Sequence, residues 1–345
     1  MNVTIKDVAK LAGVSASTVT RTCQNHPAIS EETKKKVRSA MNTLGYVSSY
    51  PSNDITRERP RAIAVALPPF TSEDVYENSF FLEAIGGISQ ACMENQCTIS
   101  LAIGRNEDEL IKNARLLIDS GRADAFVVLY SKDHDALIDF LHSGRILYVL
   151  IGKVSVYPND TVYVDNDNLM AAREATDYLI GLGHERIAFL SGESSYLFNQ
   201  DRHSGYIQSL LQHRLTFQPE YSFSMETLSS GDGIQNFKHT LTGDKAPTAI
   251  LVSDDMMVIK LLRLLGQWGI RVPEQLSVIT FNNSFVALNS VPPLTAVDIN
   301  PYELGMEAAR QLFLYQDTPG KLATKIIVPH KLVVRESCAG FSQPD

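Results

Sequence analysis

Cysteine is scarce in this chain. Cys23, Cys92, Cys97 and Cys338 are the only four in 345 residues, and none stands in a CxxC or Cys/His cluster with metal-ligand spacing. That spacing argues against a disulfide scaffold and against a structural zinc, and reduced cytoplasmic thiols are the expectation. Long apolar runs are missing as well. The start, MNVTIKDVAK, has no apolar signal-peptide core, and stretches such as ILYVLIG at 146–152 fall far short of a span. A membrane-crossing helix needs ~20 such residues, so a cytoplasmic protein off the membrane is expected. Catalytic signatures are absent too: no GxGxxG follows a strand, and there is no GxxxxGK[ST], HExxH or GxSxG. The eight histidines, His134, His184 and His203 among them, lack a partner cysteine or carboxylate at a telling spacing. His184, in LGHERI, reads as structural at a helix end. No catalytic residue, cofactor or metal is expected, and the chain does not read as an enzyme.

What is present is the composition of an ordinary globular protein, 44% hydrophobic and 20% charged, with length for two or three folding units. The net charge of −8 would ordinarily speak against nucleic acid, but it is unevenly spread. Residues 1–60 hold nine basic against five acidic side chains, leaving 22 basic against 34 acidic for the rest. A small basic module attached to a large acidic one is the simplest reading, although a solvated basic face would give the same count.

The first 45 residues read as three short helices. Thr4 and Asp7 form a capping-box pattern ahead of Val8, Ala9, Leu11 and Ala12, and Gly13 ends that helix. Ser15 caps SASTVTRTCQN, and Ser30 caps a third helix with Glu31 and Glu32 in its first turn. In that third helix Val37, Ala40, Met41 and Leu44 make an i, i+3, i+4, i+7 stripe before Gly45. From Ala62 the texture changes to apolar strands alternating with amphipathic helices: AIAVAL, CTISLAI, DAFVVLY, ILYVLI and TVYVD, then RIAFLS, SFSM, TAILVS and LSVITF. Continuous apolar strands separated by helices mean parallel sheets covered on both faces. Two series imply two doubly wound lobes, and the polar YVSSYPSNDITRERP at 46–60 is the natural linker.

A helix, a tight turn and a second capped helix within some 20 residues form a helix-turn-helix, whose second helix enters the major groove. Val14, Val19 and Cys23 are expected to pack on the first helix, leaving Ala16, Ser17, Thr20 and Arg21 outward. Arg21 suits a bidentate contact with guanine, and Ala16 and Ser17 suit a thymine methyl or a base edge. Thr4, Ser15, Thr18 and Asn25 suit phosphate positioning. A small three-helix bundle with ordinary surface polar residues would share the pattern.

TIKDVAKLAGVSASTVTR followed by NHPAISEETKKKVRSAMNTLGY resembles the head of the LacI/GalR family. Farther on, VYVDNDN, YLIGLGHERIAFLSG, DRHSGYIQSL, ILVSDDM, WGIRVPEQLSVITFNN and PPLTAVDIN resemble successive signatures of that family, covering nearly the whole chain. The combination of SFFLEAIGGI, FVVLYSK, VLIGK and YVDNDN is most similar to its maltose-operon repressors from Gram-positive bacteria. The resemblance implies a small all-α helix-turn-helix head (1–45), a hinge segment (46–60) and an α/β periplasmic-binding-protein-like body (61–345) of two doubly wound parallel-sheet lobes. The first lobe is expected over about 61–160 and 293–322, the second over about 161–292 and 323–340.

The family resemblance further implies a hinge helix that folds on double-stranded DNA and wedges an apolar side chain into the minor groove. Here Ser52 and Ile55 replace the usual alanine and leucine, and Asp54 and Glu58 bring negative charge near phosphates. Ile55 remains the wedge candidate. For the cleft between the lobes it points to Phe80 and Phe81 as an aromatic wall, to Arg202, and to Ser253 and Asp254 as a polar pair on the rim. Asn282 stands where most members carry aspartate, and Lys153 lies where some carry a ligand-contacting aromatic. Each has a plainer alternative: core packing for the phenylalanines, a surface salt bridge for Arg202, helix capping for Asp254. The function implied is a homodimeric repressor of carbohydrate genes on a pseudopalindromic operator, released by a sugar effector, maltose or a related α-glucoside. The tail RESCAGFSQPD continues no leucine heptad, so a dimer is expected rather than a tetramer. A body that docks a protein co-repressor, or responds to another small molecule, is the alternative. A binding protein or enzyme without DNA function would require the head motif to be coincidental.

Overall fold

The structure, a computed structural model, describes residues 4–23, 26, 28–44, 62–69, 78–318 and 320–341. The expected hinge at 46–60, with Ile55, and Asn25 of the head lie outside the described residues.

In the head, α1 (Ile5–Ala12) begins with Thr4 N–H donating to Asp7 Oδ2 at 2.8 Å, the reciprocal cap expected of that pair. It ends at Gly13, whose φ of 68° lies in the left-handed region that glycine enters without a Cβ penalty. The helix α2 (Ala16–Cys23) starts at once because Ser15 Oγ accepts from Thr18 N–H at 3.1 Å. Ser30 Oγ accepts from Thr33 N–H at 3.3 Å to open α3 (Glu31–Leu44). Val8, Ala9, Val19, Val37 and Ala40 close a small core between the three.

The body holds two sheets. The first comprises β1 (Ala62–Ala66), β2 (Thr98–Ala102), β3 (Ala125–Val128), β4 (Leu147–Ile151), β5 (Val162–Asp165) and β11 (Lys325–Ile327). Its order is β11-β5-β4-β3-β1-β2, with every pairing parallel. The second comprises β6 (Ile187–Ser191), β7 (Ser222–Ser224), β8 (Ala249–Val252), β9 (Ser277–Phe281), β10 (Thr295–Asp298) and β12 (Lys331–Val333). Its order is β12-β10-β9-β8-β6-β7, parallel except for β12 against β10.

Strands β1, β3, β8 and β9 are buried at every residue because helices cover both faces. Ile63 and Val65 face α4 (Ser79–Glu94) and α12 (Pro301–Asp317), whereas Ala64 and Ala66 face α5 (Glu107–Asp119) and α6 (Ala136–Ser143). In the second lobe Ala188 and Leu190 face α9 (Gly231–Thr242), α10 (Asp255–Trp268) and the short α11 (Phe285–Asn289). Ile187 and Phe189 face α7 (Asn168–Gly181) and α8 (Leu197–Gln212). Helices α4 and α12 approach so closely that a Cβ on Gly87 would stand 1.9 Å from the Tyr302 carbonyl oxygen.

The lobe boundaries differ from expectation. Strand β5 pairs with β4 and belongs to the first lobe, β10 pairs with β9 in the second, and β11 pairs with β5 in the first. The chain therefore crosses between lobes after Asp165, after Asp298 and after Ile327. Sequence pattern misplaced the last two points because β10, β11 and β12 are three or four residues long, and β11 and β12 contain no buried residue; the first was set at about 160, ahead of β5, which pairs with β4. Buried Asn166 sits at the first crossing and donates Nδ2 to Ile299 O at 3.0 Å and to Val328 O at 2.9 Å, tying all three together.

Candidate functional site

On α2 the described outward groups are Ser17 and Arg21, both exposed. Ala16 is half-buried against the head core, and Thr20 turns its hydroxyl back to Ala16 O at 3.1 Å. The expectation that all four project outward is thus corrected for Ala16, which the helical period places on the same side as buried Val19, against the head core. Val14 packs on the head core as expected; the Cys23 side chain lies outside the description. Thr4, Ser15 and Thr18 are held in caps, with Ser15 Oγ 2.8 Å from both Ser17 Oγ and Thr18 Oγ1.

In the body, the carboxyl ends of the two sheets meet in a cleft, the place where doubly wound folds bind ligands. From the second lobe, α8 projects Arg202, which is only 3% exposed. Its Nε donates to Asn168 Oδ1 at 2.9 Å and its Nη1 to the Ser253 carbonyl. The guanidinium lies 3.9 Å from the Phe281 ring centroid and 4.8 Å from that of Phe198. Burial brings its pKa down to about 10, against the pull of Asp254, Asp165, Asp255 and Asp201, so it stays protonated at neutral pH. Burial also raises the Asp165 carboxyl to about 7, with Asp201 adding repulsion. Asp254 is raised by burial and by the neighbouring Asp255. Glu83, on α4, is raised by burial and by Asp298 and Asp255 across the cleft.

Asp254 does two things. Its Oδ1 accepts from Met256 N–H at 2.8 Å and caps α10, while its Oδ2 accepts from Asn78 Nδ2 of the first lobe at 3.3 Å. Asn282, at φ 67° beyond β9, is a residue type that tolerates this left-handed backbone. Its Nδ2 donates to Asp255 Oδ1 at 3.0 Å and to Asp254 Oδ2 at 3.3 Å.

The other side of the cleft is bridged by Lys153 Nζ, 3.1 Å from Asp201 Oδ2. Beside it the loop after β3 meets the loop after β6. Asp133 N–H donates to Ser195 O at 3.1 Å and Leu197 N–H to Ser131 O at 3.2 Å. Lys132 reaches Glu193 at 3.7 Å and stands 4.7 Å over the Tyr196 ring.

Arg202 and Asn282 therefore both lie beside Asp254, and Lys153, from the other lobe, lies beside Asp201 and Asp165. Phe80 packs against both lobe cores, and Phe81, edge-on to it at 5.4 Å, against the first only. Ser253 is corrected. Its side chain is 0% exposed and donates to Asn199 Oδ1 at 2.9 Å, so it offers Arg202 its carbonyl and offers the cleft no hydroxyl. The reason is its position as the last residue before the cap, where the chain turns inward. Sequence reading missed Asn78, Asp165, Asn168, Asp201 and Asp255. The runs VDNDN and SDDM signalled three of these, but no sequence signal brings Asn78 to Asp254, 176 residues away.

Among the described residues no group of histidine, cysteine or carboxylate side chains is disposed to hold a metal ion. Likewise no described helix is long and apolar enough to cross a membrane.

Comparison with known proteins agrees with this fold. Residues 4–49 match the bacterial regulatory proteins of the lacI family, and residues 176–338 match the periplasmic binding protein-like domain. The HTH-type transcriptional regulator MalR of Streptococcus pneumoniae is 32% identical over 336 residues, 96% of this chain and 99% of that one. A solved LacI transcriptional regulator from Bacillus cereus subsp. cytotoxis is 32% identical with a TM-score of 0.75, covering 82% of this chain and 99% of that one. A complex of the transcriptional regulator CelR with cellobiose is 26% identical with a TM-score of 0.73, covering 97% and 99%.

Proposed function

The chain belongs to the LacI family of bacterial regulatory proteins, and on that premise we propose that it is a dimeric DNA-binding transcriptional repressor of maltose or maltodextrin genes, released from its operator by an α-glucoside. Cytoplasmic location and the lack of an enzymatic role follow from that reading. Two heads of a twofold dimer read the halves of a pseudopalindrome. On each, Arg21 donates bidentately to a guanine and Ser17 touches a neighbouring base edge, while Ser15, Thr18 and Thr4 hold phosphates. Asn25 and the wedge Ile55 complete the DNA contacts in this proposal.

In the cleft, Arg202, Asp254, Asn282 and Lys153 present donors and acceptors to sugar hydroxyls, and Phe80 and Phe81 supply the apolar wall. Support for the maltose reading is the likeness to the regulator MalR, and support for a disaccharide in the cleft is the likeness to the CelR–cellobiose complex.

The observation that carries the reading is the meeting of both lobes on one polar cluster, Asn78 with Asp254 and Lys153 with Asp201 around the buried Arg202. A ligand held there contacts both lobes at once and so biases their relative placement. A coupling of about 1–3 kcal/mol between such a site and the DNA-binding heads gives a 5- to 150-fold switch. Operator binding measured with and without maltose, glucose and galactose tests the proposal. Release by maltose alone supports it; tight operator binding that no sugar changes overturns the effector assignment and leaves a protein co-repressor as the controlling partner.

A further inference from the structure

Helix α4 ends in a turn that brings two cysteines together, far from the DNA-reading head. Cys97 N–H donates to Cys92 O at 2.8 Å, and Gln96 N–H donates to Met93 O at 3.2 Å. Gln96, between them, stands at φ 55° in the left-handed region. These features define a Schellman turn, whose two end residues bring their side chains into contact. Here those ends are Cys92 and Cys97. A carbonyl oxygen lies about 2.4 Å from its own α-carbon and an amide nitrogen about 1.5 Å, so the 2.8 Å bond holds the two α-carbons no more than about 6.7 Å apart. That is inside the range of about 4.4–6.8 Å that disulfides span.

The two side chains share one environment and differ in access. Cys92 belongs to the core of the first lobe, and Cys97 packs against that same core. Cys92 is 1% exposed, whereas Cys97 is half-buried and its Sγ donates to Asn95 O at 3.6 Å. Burial, with Cys97 beside it, pushes the Cys92 thiol up to about 12. A thiol so held meets an oxidant poorly, because the thiolate is the nucleophile and the site is closed. Cys97 is the sulfur that an oxidant from solvent reaches first, and Cys92 stands behind it as the sulfur that resolves the product, the arrangement of redox-responsive thiol pairs.

We infer that Cys92 and Cys97 form an oxidisable dithiol, a modification site for peroxides that closes into a disulfide tying the end of α4 to the residue ahead of β2. With hydrogen peroxide, the Cys97 sulfur attacks one peroxide oxygen, the O–O bond breaks, and Cys97 becomes a sulfenic acid as one water leaves. The Cys92 sulfur then displaces the hydroxyl from Cys97. The S–S bond forms, and the Cys92 proton leaves with that hydroxyl as a second water. The two thiols are oxidised together, the peroxide is reduced to water, and a dithiol reductant reverses the change.

The test uses the full chain, reduced with dithiothreitol and freed of it, then exposed to hydrogen peroxide, denatured and alkylated. Trypsin leaves both cysteines on one peptide, residues 62–105, which holds no other cysteine. The expected result is a peptide that carries no alkyl group after peroxide and carries both once dithiothreitol has been added back. In Cys92→Ser the resolving sulfur is gone, so dimedone, which traps sulfenic acids, is expected to label Cys97 there and not in the parent. A melting curve shows that variant to be folded, and the result on the parent needs no variant. The inference is overturned if both cysteines of the treated parent alkylate as fully as in untreated protein, or if Cys97 passes to a form that dithiothreitol does not reverse while Cys92 still alkylates. A disulfide that joins two copies of the chain overturns it as well. Absence of dimedone from Cys97 in folded Cys92→Ser removes Cys97 as the attacking sulfur and does the same.

Discussion

Asn78 and Asp254 are each the N-cap of a helix, and each uses its second polar atom to reach the other across the cleft at 3.3 Å. Asn78 Oδ1 accepts from Phe80 N–H at 3.0 Å while Nδ2 spans the lobes, so one side chain both starts α4 and ties it to α10. The two duties are separable. Serine at position 78 keeps the cap but is too short to span, so Asn78→Ser is expected to stay within about 0.5 kcal/mol of the parent in urea unfolding, whereas Asn78→Ala loses about 1 kcal/mol. Both are expected to weaken maltose binding several-fold by calorimetry. Full affinity in the serine variant would show that the contact contributes nothing to closure.

The crossings depend on Asn166. Removing its amide strands the carbonyls of Ile299 and Val328 in a buried place, and each buried acceptor left unsatisfied costs about 1–3 kcal/mol. Asn166→Ala is therefore expected to lose about 2–4 kcal/mol in urea unfolding. A loss below about 1 kcal/mol would mean that other groups hold the crossings together.

Stability should also depend on pH through Asp165. Its carboxyl stands at about 7 in the folded chain and at 3.8 when unfolded. Between those values the unfolded chain releases a proton that the folded chain keeps. Stability from this group therefore falls as pH rises through the window, and the penalty is complete above about pH 7. His184, buried between Thr248 and Ala339, acts in the opposite sense. Burial holds it below its ordinary 6.5, so the unfolded chain takes up the proton first and stability drops as pH falls below that value. Replacing Asp165 by asparagine isolates the first effect. The stability of Asp165→Asn relative to the parent is expected to rise by on the order of a few kcal/mol between about pH 5 and pH 8, and a constant difference would contradict the assignment.

At the DNA end, Arg21 and Ser17 are the exposed side chains of α2 that sequence and structure agree on. Arg21→Ala is expected to cost about 1–3 kcal/mol on the cognate operator and to relax discrimination at a single base pair. A competition assay with operators altered one pair at a time reads this directly. A uniform loss across all sequences would make Arg21 a phosphate contact.

Much of this architecture was legible in the sequence, for reasons that differ by element. The three head helices carry their own caps, and Thr4–Asp7, Ser15 and Ser30 all act locally as their spacing implies. Nine of the body strands were read from the sequence, most of them as apolar runs, since parallel strands covered on both faces leave no polar alternation. Strands β10 to β12 did not, being short and, for β11 and β12, exposed, and with them went the lobe boundaries. In the cleft, Arg202, Asp254 and Asn282 were legible from motifs. The inward turn of Ser253 and the reach of Asn78 were not, because both depend on packing between segments far apart in the chain.

The central claim, that a sugar in the cleft governs the heads, is tested most directly by fluorescence anisotropy on a palindromic operator. The measurement is made at fixed salt, because phosphate contacts make affinity salt-dependent, with and without maltose, for the parent chain and Arg202→Ala. The account predicts that maltose weakens operator binding by the parent at least about fivefold and leaves binding by the Arg202→Ala protein unmoved, with its melting curve showing a folded body. Release by maltose that persists undiminished in Arg202→Ala, or an operator affinity of the parent that maltose leaves unchanged, would contradict it.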